Sequence, residues 1–284
     1  MSFQVIVDSA SDIPSNSAIS AGIVTVPMPV TIDGKTFLEG VNLSSKDFYV
    51  QFNSFKELPK TSQPNPNILL EEYEKALSAG NEVVAIHLSS GLSSTFSTAQ
   101  MMRELASIPE RVHIIDSLGA SFGYGLLALF AQKTLSTVAS WEEAEDKILD
   151  FRNNLRYIFT LDLLDYLVKG GRVNKAVGMI GGLLDVKPIL HITPQGKIEP
   201  FAKVRSRRAA IRKLVEVMEQ EITFPERQVI GISHSSCYED AQILVDEIHQ
   251  RFTFKDILIS EIGCVVGSHT GPGTLALFYT SHKV

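Results

Sequence analysis

Short apolar runs rich in Val and Ile alternate along the chain with longer segments of mixed polarity, and turn formers mark most junctions. Phe3-Gln4-Val5-Ile6-Val7 is the first run, closed by Asp8-Ser9-Ala10-Ser11-Asp12. Extended chain is predicted at Gly22 to Val26 and Met28 to Ile32, followed by Asp33-Gly34 as a hairpin signal. Glu82 to Leu88 reads as a strand buried on both faces, as in a parallel sheet, and Arg111 to Asp116 as the next strand. Helices are predicted over 44–52, 67–78, 94–105, 122–135 and 141–153. After about residue 155 the rhythm changes. Strands at 157–161, 188–192, 197–204, 228–233, 257–262 and 274–279 are interleaved with short, glycine-punctuated helices at 163–168 and 175–184 and longer ones at 206–220 and 239–252. Thr193-Pro194-Gln195-Gly196 is the second hairpin signal.

Alternating β and α segments predict a mostly parallel sheet with helical crossovers. The expected fold is α/β with two domains. Residues 1–155 form an N-terminal, mostly parallel sheet with helices on both faces, and 156–284 a C-terminal α/β domain with its own sheet. No Pro/Ser/Gly-rich linker separates them, so the halves are expected to pack closely with a ligand between them.

Composition narrows the classes of function. A length of 284 residues fits two domains. With 44% hydrophobic and 20% charged residues, the core is that of an ordinary globular protein. The net charge of −6 argues against nucleic acid as the main partner, because phosphate binding needs a broad basic surface. Cys237 and Cys264 are too few for a disulfide framework, which makes a reducing cytoplasm the expected compartment. The first residues carry no basic segment ahead of a long apolar core, so no signal peptide is expected. No run reaches the length of a membrane span, so no integral membrane segment is expected either.

Three polar clusters fall where strands end and helices begin, the place where α/β sheets collect ligands and helix N-termini attract anions. Lys60-Thr61-Ser62-Gln63-Pro64-Asn65-Pro66 is a rigid, hydroxyl-bearing loop that also reads as a helix cap. Ser89-Ser90-Gly91-Leu92-Ser93-Ser94-Thr95 surrounds a glycine able to expose backbone N–H groups, which suits a carboxylate or phosphate; without a following Gly-Lys-Ser/Thr it is not a P-loop. Gly267-Ser268-His269-Thr270-Gly271-Pro272-Gly273 sets a lone histidine in a glycine-rich turn at a strand end.

Other constellations compete. Gly119-Ala120-Ser121-Phe122-Gly123 matches a nucleophile elbow, giving a serine hydrolase as the alternative, with Ser121 or Ser94 as nucleophile, His269 as base and Asp162 or Asp185 as acid. It lacks an upstream oxyanion segment. His234, Cys237, Cys264 and His269 are zinc-competent residue types, but their spacing fits no standard motif, and no metal site is expected. Asp8 and Asp12 lack the glycine and distal Glu of a calcium loop, and N-capping of the following helix is expected of them instead. Lys203, Arg205, Arg207, Arg208, Arg212 and Lys213, with Lys169 and Arg172, form a basic patch on an acidic chain, read either as a solvated face or as a dock for an acidic partner.

Taken in order, Val7 to Pro14, Thr61-Ser62-Gln63-Pro64, Ser89 to Thr95, Lys169-Gly170-Gly171-Arg172 and Gly267 to Gly273 resemble the DegV family, and they span nearly the whole chain. The resemblance implies a carrier without catalysis of its own, the fatty-acid-binding subunit of a bacterial fatty acid kinase. One long-chain fatty acid would lie in a buried tunnel with its carboxylate presented to the kinase for phosphorylation to acyl phosphate. It implies a carboxylate site at Thr61, Ser62, Ser93, Ser94 and His269, the contact falling to one or other serine of the Ser93-Ser94 turn. It also implies a kinase-facing role for Arg172 and Arg205 and no cofactor beyond the bound lipid. Hydroxyls, a histidine and backbone N–H groups suit one carboxylate better than a nucleotide. Leu126 to Phe130 and Val177 to Leu184, with its small Gly178, Gly181 and Gly182, are candidate tunnel walls. About sixteen carbons at about 0.8 kcal/mol per buried CH₂ give a gross term near 12 kcal/mol, less ordering costs, so near-permanent binding is expected. A carrier of some other lipid remains open at this point.

Overall fold

The computed structural model describes residues 2–173 and 186–281. The first half runs β1 (Phe3–Asp8), α1 (Ser15–Ala21), β2 (Val24–Val26), β3 (Pro29–Ile32), β4 (Lys35–Leu38), α2 (Ser45–Gln51), β5 (Lys60–Thr61), α3 (Pro66–Ser78), β6 (Glu82–His87), α4 (Thr95–Leu105), β7 (Val112–Asp116), α5 (Phe122–Leu135) and α6 (Trp141–Asn154). It continues with β8 (Leu155–Thr160), α7 (Asp165–Lys169), β9 (Val186–Ile192), β10 (Ile198–Arg205), α8 (Arg207–Glu221), β11 (Val229–His234), α9 (Tyr238–His249), β12 (Asp256–Glu261), α10 (Cys264–Thr270) and β13 (Leu275–Thr280). The helix predicted over 175–184 lies outside the described residues. Among the described residues no helix is long and apolar enough to cross a membrane.

Strands β2-β1-β6-β7 form a sheet that is parallel throughout. Every residue of β6 is buried, as expected of a strand covered on both faces. A second sheet, ordered β10-β9-β8-β13-β11-β12, is mixed; its β11–β12 pair is parallel and the other pairs antiparallel. A small antiparallel sheet, β4-β3-β5, holds the hairpin expected at Asp33-Gly34 and adds an unexpected third strand, β5. Its hairpin turns on Asp33 and Gly34, both at positive φ as a type I′ turn demands.

The layers follow from which faces are apolar. Helices α3 and α4 cover one face of the parallel sheet through Leu69, Tyr73, Ala99 and Met102. Helices α8 and α9 cover one face of the mixed sheet through Ile211, Leu214, Leu244 and Ile248. Helix α5 lies between the two sheets. Its sequence, FGYGLLALFAQKTL, is apolar on nearly every side, and a helix with no polar face has to be enclosed. A Cβ at Gly123 would meet Tyr157 and Phe278 at 2.2 and 2.8 Å, so the glycines of the apparent nucleophile elbow serve close packing of α5 on the mixed sheet. The core around α5 joins residues from both halves, from Val5 to Phe278.

Two expectations need correction. The stretch holding His269 is the helix α10, with no turn until Gly271. Asp8 and Asp12 do not cap the following helix, because their carboxylates turn inward. Asp8 accepts from Tyr124 Oη at 2.6 Å and from the Leu88 N–H at 3.1 Å and lies 3.1 Å from His87 Nδ1, while Asp12 accepts from the Gly263 N–H at 2.9 Å.

Candidate functional site

Thr61 is the last residue of β5 and is placed by its pairing with Val30 of β3. Across 208 residues of sequence, its Oγ1 lies 2.7 Å from Nε2 of His269. The serine turn comes in from a third direction. Asp8 holds Leu88 N–H at the end of β6, Ser90 N–H bonds Asp116, and the N–H groups of Leu92 and Ser93 close onto Ser89 O. Ser93 Oγ accepts from Thr95 N–H at 3.2 Å and lies 2.9 Å from Thr95 Oγ1. Ser94 donates to Gln63, which ties the serine turn to the loop after Thr61.

Between these elements lies a cavity of about 130 Å³. Thr61, Ser62, Ser93, Ser94, Arg172 and His269 all line it, and so do Met28, Leu88, Leu92, Leu167, Val265 and Val266. Polar groups therefore meet an apolar wall. The N-terminal end of the eleven-residue helix α4, entered through Ser93 and Ser94, faces the same space and adds the partial positive charge of a helix N-terminus. Ser62 and Ser94 are exposed, so the polar end reaches the surface.

Burial, and behind it the Arg172 guanidinium, pushes the His269 pKa down from 6.5 to about 4, so the ring is neutral at pH 7. Its Nδ1 is buried and has no hydrogen-bond partner among the described residues. A buried N–H without an acceptor is costly, so the ring proton belongs on Nε2. Nε2–H then donates to Thr61 Oγ1, and the threonine keeps its own proton for an acceptor in the cavity.

The Lys169–Arg172 motif is explained by this ring. Gly170 carries no Cβ because one would stand 2.5 Å from His269 Nδ1. Gly171 takes φ +73°, turning the chain so that Arg172 Nε donates to Leu92 O at 3.2 Å beside the serine turn. Arg172 is thus part of the cavity wall. Arg205 is exposed at the end of β10 and is not among the lining residues.

Several candidates are placed elsewhere. Gly91 does not offer its N–H to the cavity; that group bonds Ser89 Oγ at 3.1 Å, and the glycine is required because a Cβ would lie 2.6 Å from Gly196 O in the β9–β10 turn. Ser121 donates to the Asp12 carboxyl and lies 3.3 Å from Ser233 Oγ, with no histidine beside it. Ser94 meets Gln63, and Asp162 pairs with Lys187 at 2.6 Å, so the residues of a hydrolase triad are not brought together; Asp185 lies outside the described residues. Cys237 Sγ donates to Thr274 O, Cys264 starts α10, and His234 ends β11 against Tyr238. Among the described residues no three His, Cys, Asp or Glu side chains gather as metal ligands. Leu126 to Phe130 packs between the sheets and does not line the cavity, and the other candidate wall, Val177 to Leu184, is outside the described residues. Much of the basic patch is neutralised internally: Arg207 pairs with Asp240, Arg212 with Glu247 and Lys213 with Glu216.

Sequence reasoning gave Asp12 the wrong helix and missed Glu39; together they hold the N-terminal end of α10. Glu39 accepts from Val265 N–H at 2.9 Å and from Ser9 Oγ. The spacing Asp8-x3-Asp12 at a strand end was the available signal, but burial of both carboxylates is a tertiary property.

A family model whose description reads Uncharacterised protein, DegV family, matches residues 2–282. A DegV domain-containing protein of Clostridium perfringens is 34% identical over 98% of this chain and 97% of its own length. Among solved structures, a Thermus thermophilus DegV family protein described for its fatty acid binding superposes with a TM-score of 0.92 at 26% identity, covering 99% of this chain and all of its own. DegV of Bacillus subtilis, described as a fatty acid binding protein, superposes with a TM-score of 0.86 at 30% identity, covering 99% of both chains.

Proposed function

The chain belongs to the DegV family, and from that premise we propose that it binds one long-chain fatty acid between its two halves, residues 1–155 and 156–284, and presents the carboxylate to a fatty acid kinase. The observation that carries this is the Thr61–His269 pair at the mouth of a half-apolar cavity. A carboxylate oxygen accepts the Thr61 hydroxyl proton, whose direction is set by Nε2–H of the neutral histidine. The second carboxylate oxygen falls to the Ser93 hydroxyl and the Ser94 N–H, at the N-terminal end of α4. The histidine binds without being charged, so Arg172 is the one cation lining the cavity among the described residues.

Size supports a head-group role for this cavity. An apolar cavity of about 150 Å³ holds one benzene. A space of about 130 Å³ therefore takes a carboxyl group and the first few carbons, and the tail continues beyond it. In the presented state the exposed carboxylate oxygen attacks the γ-phosphorus of ATP held by the kinase. The bond from that phosphorus to the β,γ-bridging oxygen breaks, leaving acyl phosphate on this carrier and ADP on the partner.

Native mass spectrometry of freshly purified protein, then release and identification of the small molecule, tests the binding. One fatty acid per chain is the expected result; an empty protein that refuses added palmitate and oleate would overturn it. The kinase step is tested by adding ATP and a fatty acid kinase catalytic subunit and trapping acyl phosphate with hydroxylamine. Absence of hydroxamate from the loaded protein would remove the kinase step and leave the binding.

A further inference from the structure

Helix α10 carries His269 and is only seven residues long, too short to be stable by itself. Its opening N–H groups have no partners within the helix and must be satisfied from outside. Two side chains from the other half of the chain do this. Asp12, in the loop after β1, takes the Gly263 N–H at 2.9 Å, and Glu39, after β4, takes the Val265 N–H at 2.9 Å. Both residues are more than nine-tenths buried, at 8% and 7% exposure. They converge on Gly263, where a Cβ would lie 2.3 Å from Glu39 Oε1 and 2.8 Å from Asp12 Oδ1. No other residue type fits between them.

We infer that Asp12 and Glu39 are positioning residues for the head-group site, setting the height of α10 so that His269 Nε2 meets Thr61. This rests on the lipid-binding reading above. The helix is anchored at one end by these carboxyls and engages the site at the other, with no loop between. Each anchor is itself braced. Asp12 accepts from Ser121, its carbonyl accepts from Ser260, and Glu39 accepts from Ser9, whose Oγ takes the N–H of the cavity residue Met28 at 3.0 Å. Displacement of either carboxyl therefore moves both the histidine and the cavity wall.

The surroundings work against charge on both carboxyls. Burial, and then the nearby Glu39, raise the Asp12 pKa well above its ordinary value, and burial raises that of Glu39. A protonated Asp12 keeps Oδ1 as acceptor for Gly263 N–H and reverses the bond at Oδ2, donating to Ser121 Oγ while the serine proton turns to Ser233 Oγ, 3.3 Å away. An asparagine reproduces that pattern, with its amide oxygen on Gly263 and its NH₂ on Ser121. An alanine removes it.

The test is a double-mutant cycle on the full chain, read by palmitate titration and by the long-range ¹H–¹⁵N spectrum of the His269 ring. Asp12→Ala is expected to weaken palmitate about tenfold in the His269 background and less than about twofold in a His269→Ala background, with the ring signals displaced. Asp12→Asn is expected to restore affinity and ring signals. Equal weakening in both backgrounds with undisturbed ring signals would overturn the proposal, since Asp12 would then act on the fold in general. If Asp12→Ala does not fold, Glu39→Ala carries the same cycle with the same criteria, Glu39→Gln taking the place of Asp12→Asn. If wild-type protein takes no palmitate, the lipid reading fails, while the ring signals still decide whether these carboxyls position His269.

Discussion

Gly170→Ala adds one methyl group at the place where the structure has no room for it. The backbone raises no objection, since Gly170 has φ −70° and ψ −12°, ordinary values for alanine. The obstacle is the His269 ring, with Nδ1 2.5 Å from the new carbon and Tyr166 O 3.0 Å away. Contact at a comfortable distance requires the ring to retreat by roughly 1 Å. It cannot retreat toward Thr61, already 2.7 Å from Nε2, so it must swing aside and give up that hydrogen bond. Overpacking of this kind costs about 1–3 kcal/mol, and the lost bond about 1 kcal/mol. If most of this is felt by the bound state, palmitate affinity falls about tenfold to a hundredfold, at about 1.4 kcal/mol per decade. Displacement titration with a fluorescent fatty acid measures it. Gly171→Ala is the control: nothing lies within 4 Å of its Cβ, but φ +73° strains an alanine by roughly 1–2 kcal/mol. It should lower thermal stability and leave the His269 ring signals in place. Affinity of Gly170→Ala within threefold of wild type, with unchanged ring signals, would refute the reasoning.

Thr61→Ala should weaken palmitate about tenfold to a hundredfold, the worth of one hydrogen bond to a charged group, while Thr61→Ser stays near wild type; equal loss in both would show that the hydroxyl is not the contact. The depressed His269 pKa makes stability fall with acidity. The unfolded ring takes up a proton near pH 6.5, whereas the folded ring refuses it until about pH 4, so its contribution is whole above pH 6.5 and is lost as pH drops through that window, by up to about 3 kcal/mol. Urea unfolding of wild type and His269→Gln at pH 7 and 4.5 checks this, the variant lacking that loss; parallel losses would contradict it. Arg205→Glu should reduce capture of a fatty acid kinase subunit in pull-down without changing palmitate affinity, whereas Arg172→Ala should change affinity too, because Arg172 lines the cavity.

The long elements were legible because local pattern and tertiary demand agree in them. Phe122–Leu135 is helical by composition and enclosed because all its sides are apolar; Glu82–His87 is a strand whose continuous apolar run announces cover on both faces. The helix bearing His269 was not legible. Cys264–Thr270 contains two β-branched valines and a glycine, no helical periodicity and no capping side chain of its own; its caps arrive from Asp12 and Glu39, more than 220 residues upstream. The third strand of the small sheet was missed for a related reason, since β5 is two residues long and exists through its pairing with Val30 and Thr31. Thr61 and His269 were named together by family resemblance, because nothing in their spacing joins residues 208 positions apart. Gly91 was given the wrong office: a glycine beside serines suggests exposed N–H groups, and only the fold reveals the hairpin pressed against it.

The division of labour between tail and head group follows from magnitudes. Burial of about sixteen carbons offers a gross term near 12 kcal/mol before ordering costs, while each head-group hydrogen bond adds about 1–3 kcal/mol. On the proposed function the head-group contacts would be a minority of the affinity, yet they alone would specify which oxygen faces outward at Ser62 and Ser94, the exposed end of the cavity. A carrier that only stored lipid would have little use for a neutral histidine, a glycine cleared for its ring and two buried carboxyls fixing the helix beneath it. Under the proposed kinase step, orientation of the carboxylate is what those features would supply. Phosphoryl transfer is sensitive to misplacement of the attacking oxygen by as little as about 1 Å, so damage to this scaffold should cost far more in acyl phosphate formation than in lipid retained.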